Sequence, residues 1–497
     1  MNPPNWVKPD LSDKQMFDPR DIFQAGERNH HIANTAYPIA HDLTWNPYRV
    51  KNDRIYEEVL NAFEGIDSLN LYTHIPFCET RCFFCEYTVV GQRELDQTKE
   101  YMTNLNSEVK MYREQLGPKK IVGFDIGGGT PSFVDSSLIT EHIERTNQYF
   151  TISEDCEISI ETTPKIASSD FDKLRSYQLS GIKRISMGIQ VTEPNLLKLL
   201  GRSENGIIHH KKAIENMRKA GFQKINLDLM YGFADQSMES WEHTLLHAIS
   251  LAPDYITLYR MRYKLTRISD QAERVVLSNV KEQAKLAKVI LTENGYLANP
   301  GKNTYSKKQF DTGTSTYLTK RVIEGKSYLG LGLGAQSFSD TTISYNAGSV
   351  GKNLPPYFQK LKENQFPIQD FYKLPQMQMM AKMISVSFYF GEINLKAFQT
   401  KFGVPLEEVY SVAVPFLIEE GYMEYRTSEN GSELQNFKDP QSRFCLSLTG
   451  KGAAHFNGCI SLFYAPSVQN YLIQRDPTSN IDFDKHRKLA SKLGERV

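Results

Sequence analysis

From about residue 69 the chain alternates short β-branched or apolar runs with amphipathic stretches. The runs at 69–75, 121–126, 156–162, 184–190, 224–231 and 255–262 predict strands. The intervening segments 95–115, 133–149, 169–179, 207–221 and 237–250 predict helices. Six strands joined by helices imply a parallel sheet, because parallel neighbours need a crossover connection. Six units fall short of a closed eightfold barrel, so the expected fold class is α/β, a partial (β/α)6 barrel. Functional residues in such folds gather at the C-terminal ends of the strands.

Outside that rhythm the pattern changes. Over 1–66, Pro3, Pro4, Pro9, Pro19, Pro38 and Pro47 interrupt any long helix, and this stretch reads as an arm lying over the main domain. The barrel is expected over 67–300. A connecting segment over 301–356 contains 326–338, where glycine alternates with bulky residues, suiting tight backbone packing or a bound ligand. Its end, 347–356, has the composition of a linker. Helical patterns at 374–386, 393–401 and 406–420, then strand-like runs at 422–426 and 443–448, predict a mostly helical, winged-helix-like domain over 357–497.

Composition narrows the function classes. The 58 basic residues balance the 58 acidic ones, so no global field favours nucleic acid or an anionic membrane. No segment approaches ~18 uninterrupted apolar residues and no signal peptide is visible, so the protein is expected to be cytoplasmic and without a membrane partner. Six cysteines in 497 residues do not look like a disulfide framework, and three of them crowd into eight residues.

That crowd is Tyr72-Thr73-His74-Ile75-Pro76-Phe77-Cys78-Glu79-Thr80-Arg81-Cys82-Phe83-Phe84-Cys85, at the end of the first predicted strand. Thiolates suit iron–sulfur clusters, and a cubane normally takes four. Three local ligands leave one iron open, free to chelate the amino and carboxylate groups of S-adenosylmethionine (SAM). The competing readings are a structural zinc site, which wants a second cysteine pair that is missing, and a buried thiol cluster. Cys156, Cys445 and Cys459 are isolated and expected to be buried small hydrophobes.

Cys-x3-Cys-x2-Cys resembles the signature of the radical SAM superfamily. Tyr72-x-His74-Ile75-Pro76-Phe77-Cys78 resembles the branch typified by oxygen-independent coproporphyrinogen III oxidase and its related haem chaperone. The resemblance spans roughly residues 35–460. It implies a [4Fe-4S] cluster on Cys78, Cys82 and Cys85, SAM as cosubstrate, a flavodoxin- or ferredoxin-type electron donor, a small-molecule substrate and a monomer.

Other residues fit that implication. Gly127-Gly128-Gly129-Thr130 lets backbone approach a ligand closely and resembles the family turn that binds the methionine amine. Glu161, ending the third strand, matches a glutamate that holds that amine. Arg184, Ser186 and Gln190 share one strand face by even spacing. Arg202 matches the arginine that pairs with the SAM carboxylate, and Asp228 an aspartate near the ribose. Tyr72 and His74 border the cluster in this branch, and Phe84 is expected to pack on adenine. His209 and His210 are expected to be solvated.

Two departures shape the expected reaction. The decarboxylating oxidase carries a further cysteine where this chain has Tyr87, and the chaperone's haem motif is replaced by Thr312-Gly313-Thr314-Ser315-Thr316-Tyr317-Leu318. Class C radical SAM methyltransferases and cyclopropanases lack both features and are thought to bind two SAM molecules. Methyl or methylene transfer to an sp2 carbon is therefore the favoured expectation, ahead of coproporphyrinogen-type oxidation, other tetrapyrrole chemistry or haem carriage.

Overall fold

The computed structural model describes residues 17–29, 37–38, 44–263, 266–308, 311–426 and 444–476. Strands β1 (Ser68–Ile75), β2 (Lys120–Gly128), β3 (Thr151–Ile152), β4 (Ile158–Thr162), β5 (Ile182–Gln190), β6 (Lys224–Tyr231) and β7 (Tyr255–Arg260) run parallel. Apart from the two-residue β3, these are the six expected strands. β8 (Thr304–Ser306) pairs antiparallel with β7 at one edge. At the other edge β9 (Tyr328–Leu331) runs parallel to β1, followed by antiparallel β10 (Gln336–Phe338), β11 (Thr342–Asn346) and β12 (Ile368–Lys373). The order β12-β11-β10-β9-β1-β2-β4-β5-β6-β7-β8 has two free ends, so the barrel is open.

The crossover helices fall close to expectation: Thr98–Leu116, Ser136–Tyr149, Phe171–Leu179, Ile207–Ala220 and Met238–Ser250. Caps account for the differences. The Asp135 carboxylate accepts from Ser137 N, delaying the second helix to Ser136. Asp170 caps the third through Lys173 N and separates it from a short preceding helix, Pro164–Ser169. The pattern predicts nothing for Leu277–Glu293, which is nevertheless a helix, burying Val280, Ala287, Ile290 and Leu291.

Past residue 300 the helical crossovers cease but the sheet does not: β8 to β12 all come from this region. The glycine alternation serves close packing. A Cβ on Gly330 would lie 2.1 Å from the Gln336 carbonyl oxygen, and Gly332, at φ +94°, would place one 2.5 Å from that of His74. Beyond β12 come helices Gln376–Ser387, Leu395–Phe402, Leu406–Val409 and Ala413–Glu419. They pack with a three-stranded sheet of β13 (Glu392–Asn394), β14 (Met423–Arg426) and β15 (Cys445–Leu448), of which β13 was not expected. The polar loop between β14 and β15, residue 443, and the early prolines Pro3, Pro4 and Pro9 lie outside the described residues.

The arm does not lie over the barrel throughout. Helix Pro19–Arg28 docks on the C-terminal helices, where Glu27 accepts from Gly458 N at 2.9 Å and Arg28 pairs with Asp476 at 2.5 Å. Helix Ile55–Phe63 joins the barrel core. No helix among the described residues is long and apolar enough to cross a membrane.

Helix Thr98–Leu116 buries Glu108 completely. Its carboxylate accepts from Gly332 N (2.8 Å), Asn346 Nδ2 (2.8 Å) and Tyr357 OH (2.6 Å), and burial raises its pKa to about 7. Glu108→Ala strands three buried donors, each costing ~1–3 kcal/mol. Stability should fall by about 3 kcal/mol or more on that principle, read as the midpoint of urea unfolding.

Candidate active site

A cavity of about 260 Å³ opens at the C-terminal ends of the strands. β1 delivers Tyr72 to its wall, then Pro76 turns the chain into the cysteine loop, which crosses the mouth and puts Cys78, Cys82 and Cys85 on it. Backbone bonds fix this loop: Thr130 N donates to Phe77 O (2.7 Å), Phe83 N to Leu200 O (3.0 Å) and Arg267 N to Phe83 O (2.9 Å). The glycine turn after β2 passes directly beneath it. A Cβ on Gly129 would meet Phe77 O at 2.6 Å and Cys78 Sγ at 2.8 Å, so this residue type is demanded by the loop above it.

The remaining strands complete the wall with Glu161 from β4, Ser186, Gly188 and Gln190 from β5, Asp228 and Met230 from β6, and Tyr259 and Arg260 from β7. Gln190 takes a left-handed φ of 68° at a register shift between β5 and β6. Arg202, just past a short helix Pro194–Leu199, reaches back so that Nη2 donates to Gly188 O (2.5 Å) and Nη1 to Cys82 Sγ (3.2 Å). Its Nε is buried without a hydrogen-bond partner.

Acids gather on the inner face. Burial, then repulsion from Asp228 and Asp125, raises Glu161 to about 8. Burial raises Asp228 to about 6, opposed by the bond from Asn226 Nδ2 (2.8 Å). Asp125, deeper in the barrel, is raised to about 6 by burial against bonds from Ser159 and Ser315. Such a floor favours a cationic ligand, whose charge would offset both the desolvation and the mutual repulsion of the carboxylates.

The thiols sit in a different environment. Burial pushes Cys78 up to about 12 against a bond from Thr130 Oγ1 (3.4 Å), and burial also raises Cys85. Burial favours the protonated form of Cys78 and Cys85, and a cationic metal centre would supply the charge that makes them ligands. Among the described residues no three His, Cys, Asp or Glu side chains converge on a single ion. All three thiols line the one cavity, and in a cluster each sulfur binds a different iron. The donor set, the glycine cradle and the unpartnered Arg202 Nε together fit a cubane with a carboxylate-bearing ligand beside it.

His74 and Gly127 do not line the cavity. His74 Nε2 faces the Thr88 carbonyl (2.7 Å) and donates to it, leaving Nδ1 to accept from Tyr72 OH (3.1 Å). Burial lowers its pKa to about 4, so the ring is neutral and orients Tyr72. Arg184 is also withdrawn, donating to Gly313 O (2.8 Å) and stacking on Tyr255. The expectation that His210 is solvated is overturned: it is fully buried, with Nδ1 2.9 Å from His247 Nε2 and Nε2 on Asn205 O. It faces the inner side of its helix, which sequence position at a helix start does not reveal. His209 is half-buried on Ser168. Phe84 lines the cavity and packs edge-on to Phe233. Arg81, Glu86, Tyr87, Tyr259, Arg260 and Arg262 also line it without having been expected there. The strand-end rule applied to β7 was the available signal for the last three.

Residues 72–248 match the family model of the radical SAM superfamily. The chain is 25% identical to the heme chaperone HemW of Bacillus subtilis (strain 168) over 362 residues, 70% of this chain and 91% of that protein. It is also 25% identical to the anaerobic coproporphyrinogen III oxidase 1 of Cereibacter sphaeroides over 368 residues, 70% of this chain and 79% of that protein. The coproporphyrinogen III oxidase structure (HemN) from Escherichia coli superimposes with a TM-score of 0.69 at 20% identity, covering 86% of this chain and 96% of that one, which shows a shared fold. Radical SAM proteins use a [4Fe-4S] cluster and SAM, the two groups the radical SAM cavity fits.

Because a cationic ligand favours ionised Glu161, SAM should bind the radical SAM cavity more tightly as pH rises from about 6 towards 8, with proton release on binding. Equilibrium dialysis across that range is expected to show the trend, and Glu161→Gln should flatten it while weakening binding. A slope unchanged in Glu161→Gln would assign the dependence elsewhere.

Proposed function

We propose that this chain is a radical SAM enzyme in which Cys78, Cys82 and Cys85 hold the [4Fe-4S] cluster and the acid-floored cavity beside them holds SAM. The observation that carries this reading is the facing of three thiols and an acid pair across one cavity, with Arg202 between them. When bound, the cluster would supply one electron for reductive cleavage of the SAM C5′–S bond into methionine and a 5′-deoxyadenosyl radical. Glu161 is placed for the methionine ammonium and the free Nε of Arg202 for its carboxylate. Asp228 and Gln190 serve the adenosyl part, Phe84 offers an aromatic face to adenine, and the Gly128–Thr130 turn brings backbone close. Tyr72, held by His74, forms the inner wall against the reacting end. An electron donor of the flavodoxin or ferredoxin kind, a reducing cytoplasm and a small tetrapyrrole-like or aromatic substrate complete the reading.

For the use of the radical, two observations favour methyl or methylene transfer from a second SAM. Tyr87 occupies the cavity wall where the oxidase resemblance would need a cysteine. The 312–318 segment, where haem carriage would need its ligand motif, is engaged in the fold: Gly313 O accepts from Arg184 and Ser315 Oγ donates to Asp125. Oxidation of a coproporphyrinogen-like substrate is the second reading, supported by the oxidase relative.

Anaerobic reconstitution should load about four irons per chain by the stoichiometry of a cubane. Alanine at any one of Cys78, Cys82 and Cys85 should abolish 5′-deoxyadenosine formation, whereas Cys156→Ala and Cys459→Ala should keep the cluster absorbance. Retained cleavage in Cys82→Ala would sink the assignment. With methyl-labelled SAM, transfer predicts S-adenosylhomocysteine and label in the product; turnover that releases CO2 with no S-adenosylhomocysteine would establish the oxidation instead.

A further inference from the structure

Behind Tyr72 lies a cation that the SAM chemistry does not use. Arg321 ends the helix Thr316–Val322; its guanidinium carbon sits 4.4 Å from the Tyr328 ring centroid and 5.7 Å from that of Tyr317. Nη1 donates to Tyr317 OH at 3.2 Å. No carboxylate among the described residues pairs with it. Phenols and π-faces soften a buried guanidinium but do not neutralise it. Its charged neighbour is a second cation, Lys382, buried, donating from Nζ to Tyr37 O (2.8 Å), and pushed down to about 7 by burial and by Arg321 itself. A guanidinium and an amine in one interior, with no acid among the described residues paired to either, leave a site that an incoming anion would complete.

Arg321 is not sealed off. Arg321, Gln336, Tyr345 and Tyr72 all retain accessible surface although the sheet and the C-terminal helices enclose them. The Tyr317 ring is 6.0 Å from Tyr72, which faces the thiols across the radical SAM cavity. Tyr389, from the C-terminal region, is electrostatically within reach of Arg321 on one side and of Tyr87 and Tyr259 on the other. These last three tyrosines are among the exposed large side chains of the protein, so an aromatic rim runs from the cavity mouth towards Arg321.

We propose that Arg321 is the specificity residue for the substrate, an aromatic or heteroaromatic molecule whose carboxylate docks on this guanidinium while its body rests among Tyr72, Tyr317 and Tyr389. A carboxylate suits the site better than a phosphate dianion, because a single planar fork with one nitrogen already engaged offers one bidentate face. The inference rests on the reading of the neighbouring cavity as the reaction site, and adds a carboxylate and its docking residue to the substrate of that reading.

The test uses the reconstituted full chain with benzoate as probe and benzamide, its neutral isostere, as comparison, binding being followed by saturation-transfer NMR. The parent should prefer benzoate at least ~10-fold, one charge-assisted contact's worth. Arg321→Gln should erase the preference, Arg321→Lys should keep part of it, and the surface variant Arg274→Gln should leave it intact. Circular dichroism checks that each variant is folded. Equal binding of the two probes by the parent, or a preference that survives in folded Arg321→Gln, would overturn the proposal. Because the readout is binding, it is independent of SAM cleavage: a parent that binds benzoate through Arg321 but forms no 5′-deoxyadenosine would refute the enzymatic reading alone.

Discussion

The carboxylate of Glu108 has no water to turn to, and its three donors come from three segments distant in sequence: the Gly332 turn, Asn346 at the end of β11 and Tyr357 in the following helix. It sits on the helix that connects β1 to β2, so the barrel's first crossover and the glycine-rich edge are joined through one ion. Tyr101, on the same helix, donates to His74 O (2.6 Å) and accepts from Leu333 N (2.9 Å), extending the joint to the end of β1. The position of the cysteine loop follows, since that loop departs from β1 and rests on the turn after β2. Leaving such a network half satisfied costs more than omitting it, which is why it must form as a unit.

Above that frame, the barrel concentrates charge. Glu161, Asp228 and Asp125 share one interior, and serine, threonine and asparagine side chains grade their environment: Ser159 and Ser315 on Asp125, Asn226 on Asp228, and Thr257 on Asn226. Glu161 has no side-chain donor of this kind and is raised furthest. Arg202 is the cation that spans from β5 to the cysteine loop. The polar layer explains how strands buried on both faces still carry ionisable groups: their charges face a cavity, while the aliphatic residues of the same strands face the helices.

Much of this was legible in residue order. Period-two and helical patterns placed six strands and five helices to within a few residues, and the closely spaced Cys78, Cys82 and Cys85 all fall on the one cavity. What stayed hidden depended on packing. Leu277–Glu293 reads as polar because its buried positions are few, and β9 to β12 were unreadable because glycines that serve a close backbone approach also resemble a loop. His210 was misjudged since burial of one helix face is decided by the neighbouring helix that carries His247. Arg321 drew no notice, because an unpaired cation looks ordinary until its surroundings are known.

The docking of helix Pro19–Arg28 on the C-terminal helices has a mechanical meaning. The C-terminal region is tied to the rest of the molecule at several further points: Ser387 Oγ donates to Val322 O (2.9 Å), Lys401 pairs with Asp340 and the Lys302 ammonium lies over the Phe390 ring. A body held at one point can swivel, whereas one held at several separated points moves little as a unit. Tyr389, which belongs to that body, is thereby held near Tyr87 and Tyr259 at the cavity mouth.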